Sequence, residues 1–331
     1  MRFDTPFIRL PITFDAETLE HEVRALPQSS WVPHPTGFVG NEAVRLITVN
    51  GQPTDGFEGP MQPTDDLARL PYVQQVMAEL DGVWSRSRLM GLGAGAEVPE
   101  HVDAHYHWRT HIRIHVPVIT DPKVLFTCGG ETVHMAPGEC WLFDSFQRHE
   151  VHNRGDAHRA HLVLDTVGGR GLWDLIEQAE SETPPEPRLF NPGEGTGAPL
   201  LFEQLNVPKV MSPWELQCHI AFLKSKAKPH PKLDLLMSRL DRLRFERGAA
   251  WVAYCDTDEG LPVFEQLMRD AAQDVGRMDV NDLYLTNDLP FLHVLGRLVF
   301  EVAIDRSGHS ERQQTQQKAG TFAPAHARLA S

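Results

Sequence analysis

Apolar and polar residues alternate over residues 111–118, which read His-Ile-Arg-Ile-His-Val-Pro-Val. The even-numbered positions are all apolar, and the odd-numbered positions up to 115 are basic or potentially basic. A period of two residues predicts a β-strand with one apolar face and one polar face. The polar face lies either in water or inside a cavity that receives an anion.

Short apolar segments separated by Gly and Pro turns extend this pattern on both sides. Strands are predicted at 7–13, 44–49, 83–92, 124–128, 132–135, 140–143 and 157–167. Helices are predicted from Asp15, as N-cap, to about residue 26, and over 67–80 with an interruption near Pro71. Many short strands without a strand–helix–strand rhythm predict a mainly β core, a double-stranded β-helix (a jelly-roll or cupin-like fold), with flanking helices over one sheet.

The second half of the chain changes character after a segment rich in Pro and Gly. Ser212-Pro213-Trp214-Glu215 has the residue types of a helix start, with a capping box. Leucines at 236, 240 and 243 have helical spacing, whereas residues 250–255 are predicted as a lone strand. The expected organisation is a jelly-roll domain over 1–177, a linker over 178–200, a mostly α-helical C-terminal domain over 201–305 and a flexible tail over 306–331.

Composition narrows the class of protein. The 331-residue chain carries 45 acidic and 31 basic residues, a formal net charge of −14, which argues against broad binding to nucleic acid or anionic membranes. It contains no apolar run of the roughly 20 residues that a membrane span needs, and residues 1–6 lack the apolar region of a signal peptide. The four cysteines have no C-x-x-C spacing and are expected to be reduced thiols. A cytoplasmic protein without nucleic-acid or membrane partners is predicted.

Ten of the 17 histidines lie between His101 and His161. In an extended segment, residues i and i+2 point the same way, so His101 and Asp103 can bind one metal ion together. A distant histidine would complete the 2-His-1-carboxylate triad that holds Fe(II) and leaves coordination positions open. His149 is the preferred third ligand and His152 its rival. Any one of these histidines by itself is more often a surface or core residue.

Arg159 adds a second element to this pattern. It follows the turn residues 153–156 on another predicted strand, ten residues after His149. A dicarboxylate such as 2-oxoglutarate would chelate the metal through its keto-acid end. Its far carboxylate would then need a charged, bidentate partner, which an arginine supplies.

Together these motifs resemble the aspartyl/asparaginyl β-hydroxylase family of Fe(II)/2-oxoglutarate-dependent dioxygenases, over about residues 3–168. The resemblance rests on His101-x-Asp103, Arg113-x-His115, the Phe143-Asp144-Ser145-Phe146 run before His149, and Arg159. It implies that His101, Asp103 and His149 bind iron and that Arg159, His115 and Arg113 hold 2-oxoglutarate. Family members that act on proteins include some without the carboxylate ligand, so Asp103 favours the branch that hydroxylates free amino acids.

The resemblance also implies a reaction: Fe(II), 2-oxoglutarate and O₂ hydroxylate an unactivated C–H bond, giving succinate and CO₂. A free amino acid or similar small molecule is the expected substrate, with proline the first candidate. The residues predicted to contact it are Arg109, His107 and Trp108, with His105, His111, Arg86 and Arg88 as further candidates. Two alternatives stay open: a hydroxylase of peptide or protein side chains that docks its target on the helical domain, and a non-catalytic cupin-like metal sensor. A homodimer is also left open.

Overall fold

The computed structural model describes residues 3, 5–195 and 197–304 and divides them into two compact units. The first, called the barrel unit, comprises the described residues up to 103 together with 110–206. The second, called the helical unit, comprises residues 104–109 and 207–304. The predicted tail over 306–331 lies outside the described residues.

The barrel unit consists mainly of short strands. They are β1 (Phe7–Phe14), β2 (Val32–Pro33), β3 (Asn41–Val49), β4 (Met61–Pro63), β5 (Val83–Trp84), β6 (Ser87–Leu92), β7 (Glu97–His101), β8 (Ile112–Ile119), β9 (Val124–Cys128), β10 (Glu131–Val133), β11 (Glu139–Phe143), β12 (His149–Asn153), β13 (Arg159–Thr166), β14 (Arg188–Phe190) and β15 (Leu201–Phe202).

Helices precede, interrupt and follow these strands. They are α1 (Ala16–Ala25), α2 (Asp65–Ala68), α3 (Pro71–Leu80), α4 (Tyr106–Thr110) and α5 (Arg170–Ala179), with a 3₁₀ turn at Gln28–Ser30. Asp15 caps α1 as predicted, because its Oδ1 accepts a hydrogen bond of 2.8 Å from the Thr18 amide. The predicted interruption at Pro71 separates α2 from α3, where Pro71 is the first residue of the second helix.

The strand order confirms the jelly roll. The larger sheet contains β11-β8-β13-β6 as neighbours, and the smaller sheet is β10-β9-β12-β7. The eight consecutive strands β6 to β13 therefore divide between two sheets in the order of a double-stranded β-helix. Strands β14 and β1 extend one side of the larger sheet, and β3 and β2 extend the other.

The period-two pattern of β8 separates the two faces of the larger sheet. Ile112, Ile114, Val116 and Val118 belong to a large apolar core, which also contains buried residues of α1, α3 and α5. Burying each such side chain stabilises the fold by about 1.5–3 kcal/mol. Arg113 and His115 therefore lie on the opposite face, where a smaller apolar cluster includes Phe126 of β9 and Phe143 of β11.

The segment predicted as a linker is part of the barrel unit, so the structure differs from the prediction here. β14 pairs in parallel with β1, and β15 pairs in parallel with β5. Phe190 is fully buried and contacts Phe14 and Tyr72. Proline and glycine disfavour helices, but they leave room between them for short edge strands. The division between the units falls after residue 206 rather than within 178–200.

The helical unit confirms the mostly α-helical character predicted for its part of the chain. Its helices are α6 (Pro213–Lys226), α7 (Leu233–Tyr254), α8 (Leu261–Gly276) and α9 (Phe291–Leu295), with a 3₁₀ turn at Asp258–Gly260 and a π-helical turn at Gly296–Phe300. Ser212 caps α6, its side chain accepting a 3.2 Å hydrogen bond from the Glu215 amide. No helix among the described residues has the length and apolarity required to cross a lipid bilayer.

The lone strand predicted over 250–255 is wrong, because α7 continues to Tyr254. Its buried positions keep a spacing of three or four residues to the end of the helix: Leu236, Leu240, Leu243, Arg247 and Ala250. Local β propensity at Trp251 and Val252 is overridden by this continuous helical face.

Residues 104–109 belong to the helical unit although the chain reaches them directly from the barrel. The Tyr106 hydroxyl donates a hydrogen bond to the Glu215 carboxylate. The Arg109 guanidinium lies 4.3 Å from the centre of the Phe222 ring. Residue 103 is therefore followed in sequence by a segment that is anchored on α6.

Candidate metal centre

Two histidines lie opposite each other on the smaller sheet. His101 ends β7 and His149 begins β12, and the two residues are paired in the antiparallel register. Their ring centroids are 4.1 Å apart. The β-sheet pairing therefore brings together two side chains that are 48 positions apart in sequence.

Each histidine has one ring nitrogen held by the backbone. His101 Nδ1 lies 2.8 Å from the carbonyl oxygen of Pro99, and His149 Nδ1 lies 2.9 Å from that of Gln147. A carbonyl oxygen only accepts, so each Nδ1 carries the proton and each Nε2 offers a lone pair to a metal ion. Burial, with a contribution from His101, lowers the pKa of His149 to about 3, so this imidazole is neutral at pH 7.

Asp103 completes the cluster. Ligand atoms of His101, Asp103 and His149 all lie within 4.8 Å of one another, which makes these residues a possible metal-binding group. The Asp103 amide donates a 2.9 Å hydrogen bond to the Ser145 carbonyl, so the backbone fixes its position next to the turn that precedes β12. Two imidazoles and one carboxylate are the donor set that suits Fe(II) and leaves coordination positions open.

The turn before His149 is organised by Asp144, a buried residue. Its Oδ1 accepts a hydrogen bond from the Phe146 amide, and its backbone carbonyl accepts one from the Gln147 amide. Gln147 in turn supplies the carbonyl that orients His149. Asp144 therefore acts on the metal cluster through the backbone of the turn.

His152, the rival third ligand, points elsewhere. Three residues after His149 on the same strand, it projects from the opposite face of β12. Its ring nitrogens lie 3.2 Å from Glu97 and 3.4 Å from Glu150, both on the protein surface side of the smaller sheet. His152 is therefore a residue of the outer face of the sheet and not part of the cluster.

Arg113 contacts the cluster directly. Its Nη1 lies 3.3 Å from Asp103 Oδ2, and its Nε lies 2.9 Å from Asp165 Oδ1. Burial lowers the pKa of Arg113, but Asp165 and Asp103 outweigh this effect, and the net pKa is raised. The guanidinium thus bridges a fully buried carboxylate on β13 and the carboxylate of the metal cluster.

Arg159 is buried without a carboxylate partner among the described residues. It is 5% exposed, its Nε and Nη2 have no hydrogen-bond partner, and its Nη1 makes one long contact of 3.5 Å with the Met90 carbonyl. Burial alone lowers its pKa to about 9, so it is still a cation at pH 7. A buried guanidinium without a carboxylate partner is typical of a site that binds an anion.

Two further histidines, His115 and His161, lie close to this arginine. The rings of His115 and His161 are 5.8 Å apart, and His115 is 5.2 Å from Phe143, which is 5.0 Å from His149. Both histidines are buried, and burial together with Arg159 keeps their pKa values well below the usual range. Sequence reasoning selected His115 and missed His161, although His161 follows Arg159 by two positions and so shares its face.

The sequence matches a known family over this part of the chain. Residues 58–168 match the sequence model of the family described as Aspartyl/Asparaginyl beta-hydroxylase. This segment of the chain is therefore similar to that family. The resemblance is confirmed for this segment, and the barrel unit therefore carries a hydroxylase domain of the dioxygenase class that uses Fe(II), 2-oxoglutarate and O₂. The donor set of the metal cluster and the unmatched cation at Arg159 both fit these cofactors.

Solved structures with similar folds were also found. An oxidoreductase of the 2OG-Fe(II) oxygenase family from Burkholderia pseudomallei is 16% identical, with a TM-score of 0.36, over 51% of this chain and 88% of its own. A Pseudomonas putida prolyl-4-hydroxylase is 12% identical, with a TM-score of 0.34, over 50% of this chain and 94% of its own. No curated protein matches the chain in sequence.

The residues predicted to contact substrate are distributed over both units. His107, Trp108 and Arg109 lie on α4 in the part of it that belongs to the helical unit. His111 is held in the barrel unit by Glu203, 2.9 Å from its Nε2. His105 Nδ1 accepts a hydrogen bond from the His107 amide, which gives this ring a local structural role.

We expect the hydroxylase domain to lose Fe(II) binding when His149 is replaced by Ala, because one of three ligands is removed. The affinity for Fe(II) should fall by more than the ~10- to 100-fold seen when a residue that only hydrogen-bonds to a metal ligand is removed. His152→Ala is the matched control and should bind Fe(II) like the unmodified protein in equilibrium dialysis. Retained binding in His149→Ala with loss in His152→Ala would reverse the choice of ligand.

Replacing Arg113 by Met should weaken Fe(II) binding by about 10- to 100-fold, because Asp103 loses the partner that orients its carboxylate. Arg9→Met, at a half-exposed arginine of the same sheet, is the control. A raised requirement for 2-oxoglutarate with unchanged Fe(II) affinity would instead support the role in cosubstrate binding predicted from sequence.

Proposed function

We propose that this protein is an Fe(II)/2-oxoglutarate-dependent dioxygenase that hydroxylates an unactivated C–H bond of a free amino acid or a closely related small molecule. The observation that carries the proposal is one juxtaposition inside the barrel. A His-Asp-His cluster and a buried arginine without a partner carboxylate lie on facing sheets of one jelly roll. The bound cofactors supply the oxidising chemistry, which converts substrate, O₂ and 2-oxoglutarate into hydroxylated product, succinate and CO₂.

In this proposal His101, Asp103 and His149 hold the iron. The two Nδ1–H groups are fixed by carbonyl oxygens, so the imidazoles need no reorientation when the metal binds. Arg113 keeps one Asp103 oxygen occupied, which leaves the other oxygen for the metal. The chain thus presents two imidazoles whose orientation is already fixed by the backbone.

Arg159 holds the far carboxylate of 2-oxoglutarate. Its partnerless Nε and Nη2 offer the two parallel donors of a bidentate pair. His115 lies near both Arg159 and His149, and its Nδ1 has no hydrogen-bond partner among the described residues. Arg113 was predicted to share this role, but its two carboxylate partners favour a role in positioning Asp103.

Two phenylalanines pack against the histidines of the site. Phe126 and Phe143 contact each other at 4.9 Å, and the Phe126 ring stacks on the His149 ring at 6.3 Å. Both phenylalanines are almost completely buried. In this low-dielectric environment the attraction between Arg159 and a carboxylate is stronger than it would be in water.

We propose that Arg45 of β3 and Arg88 of β6 bind a carboxylate of the substrate. Arg45 and Arg88 are directly opposite each other in the register of these strands, a like-charge pair that is unfavourable without an anion. Asp55 supplies that anion: its Oδ2 is 2.7 Å from Arg45 Nη2 and its Oδ1 is 2.8 Å from Arg88 Nη2. This contact supports the proposal, since it shows a geometry in which these arginines bind a carboxylate.

Arg86 adjoins the same pair. Its Nη1 donates a 3.1 Å hydrogen bond to the Asp55 carbonyl, and its guanidinium lies 3.7 Å from the centre of the Phe57 ring. Arg86 and Arg88 are two residues apart in sequence, and both contact Asp55. An α-carboxylate placed beside them would anchor a free amino acid, and proline remains the first candidate.

We also propose a cytoplasmic location for the protein.

Arg159→Ala should raise the apparent KM for 2-oxoglutarate by an amount that corresponds to about 2–5 kcal/mol, because a charge-assisted bidentate pair is lost from a desolvated site. Arg159→Lys should recover only part of this loss, since an ammonium group lacks the planar fork. The exposed Arg154→Ala is the control. An unchanged 2-oxoglutarate dependence in Arg159→Ala would remove this arginine from the role.

The substrate class is tested by measuring succinate formation with each free amino acid and with peptides containing Asp, Asn or Pro. We expect turnover with a free amino acid. For the best substrate, Arg88→Met should raise KM by about 10- to 100-fold, because a hydrogen-bonded charge pair is lost. An analogue without the carboxylate should be turned over equally by Arg88→Met and by the control Arg69→Met. Turnover of peptides alone would favour a hydroxylase of protein side chains.

A further inference from the structure

His161 is the most completely buried titratable side chain near Arg159, with 1% of its surface exposed. Neither of its ring nitrogens has a hydrogen-bond partner among the described residues. A buried imidazole with two unsatisfied nitrogens is unfavourable by itself, because each nitrogen has given up a hydrogen bond to water. Such a group points to a ligand that supplies the missing partner.

The position of His161 relates it to Arg159. The two residues are separated by one position on β13 and project from the same face. His161 is paired in register with Met90, and the carbonyl of Met90 receives the single long hydrogen bond of Arg159. The donors of both side chains therefore border one region between β13 and β6.

The side chains between the metal cluster and His161 indicate which end of a bound ligand would lie near His161. A sequence of ring contacts leads from His149 through Phe143 and His115 to His161. His161 is thus separated from the iron ligands by two intervening side chains. A 2-oxo acid bound to the metal at one end would bring its other end towards Arg159 and His161.

We propose that His161 donates a hydrogen bond to the distal carboxylate of 2-oxoglutarate, which it binds jointly with Arg159. This inference rests on the proposed function and deepens it. A neutral imidazole supplies one N–H donor without adding a second buried charge beside the guanidinium. The pair would make the site selective for 2-oxo acids with a carboxylate at the far end over those with an apolar end.

The test measures binding by calorimetry, in protein loaded with Mn(II) so that no turnover occurs. The two probes are 2-oxoglutarate and 2-oxovalerate, which has the same chain length but a methyl group in place of the distal carboxylate. His161→Leu should weaken 2-oxoglutarate binding by about 10- to 100-fold, the effect of losing one hydrogen bond to a charged group. Its affinity for 2-oxovalerate should be unchanged or higher, and His161→Gln should recover part of the 2-oxoglutarate affinity.

His152→Leu is the matched control, because this histidine lies on the outer face of β12, close to Glu97 and Glu150. It should bind both probes within about 2-fold of the unmodified protein, and thermal unfolding checks that each variant is folded. Equal weakening of both probes in His161→Leu would mean that the residue only packs the cavity, and unchanged 2-oxoglutarate binding would also overturn the inference. Failure of the unmodified protein to bind 2-oxoglutarate would instead refute the proposed function.

Discussion

The constraint on which this structure depends is the need to match positive charge buried inside a barrel. A guanidinium removed from water is costly unless an anion and its hydrogen bonds compensate for the lost hydration. Arg113 meets Asp165 and Asp103, while Arg45 and Arg88 share Asp55. Within the described residues Arg159 has no such carboxylate. The missing carboxylate partner of Arg159 favours a site that receives an anionic ligand.

The two sheets contribute different residues to the site. The smaller sheet carries the metal cluster, where β-pairing places His101 opposite His149 and carbonyl oxygens orient both rings. The larger sheet carries the arginines: Arg88 on β6, Arg113 on β8 and Arg159 on β13. Because each side chain is fixed by strand register, the separation between metal and anion site is set by how the sheets pack. Arg113 links the two sheets through its contact with Asp103.

Particular residues show how far sequence reasoning reached. The alternation over 111–118 predicted both faces of β8 correctly, because burial of one face enforces a period of two. The segment 178–200 was harder to interpret, since Pro and Gly are typical of linkers and of short edge strands alike. Local propensity also failed at 250–255, where a helical face that begins at Leu236 decides the structure. His161 escaped notice because it lies in an otherwise apolar strand. Its two-residue distance from Arg159 was the available signal.

The residue types of the site, the class of fold and the family resemblance could be predicted from the order of the amino acids. These follow from local information: periodicity, turn residues and the spacing of His, Asp and Arg motifs. The three-dimensional arrangement was needed to show that His149 rather than His152 joins the metal cluster and that Arg113 contacts two carboxylates. It was also needed to show that Arg159 Nε and Nη2 and both ring nitrogens of His161 have no hydrogen-bond partner among the described residues. The reason is physical: whether a buried polar atom is satisfied depends on neighbours from distant strands, and strand register and sheet packing bring those neighbours together.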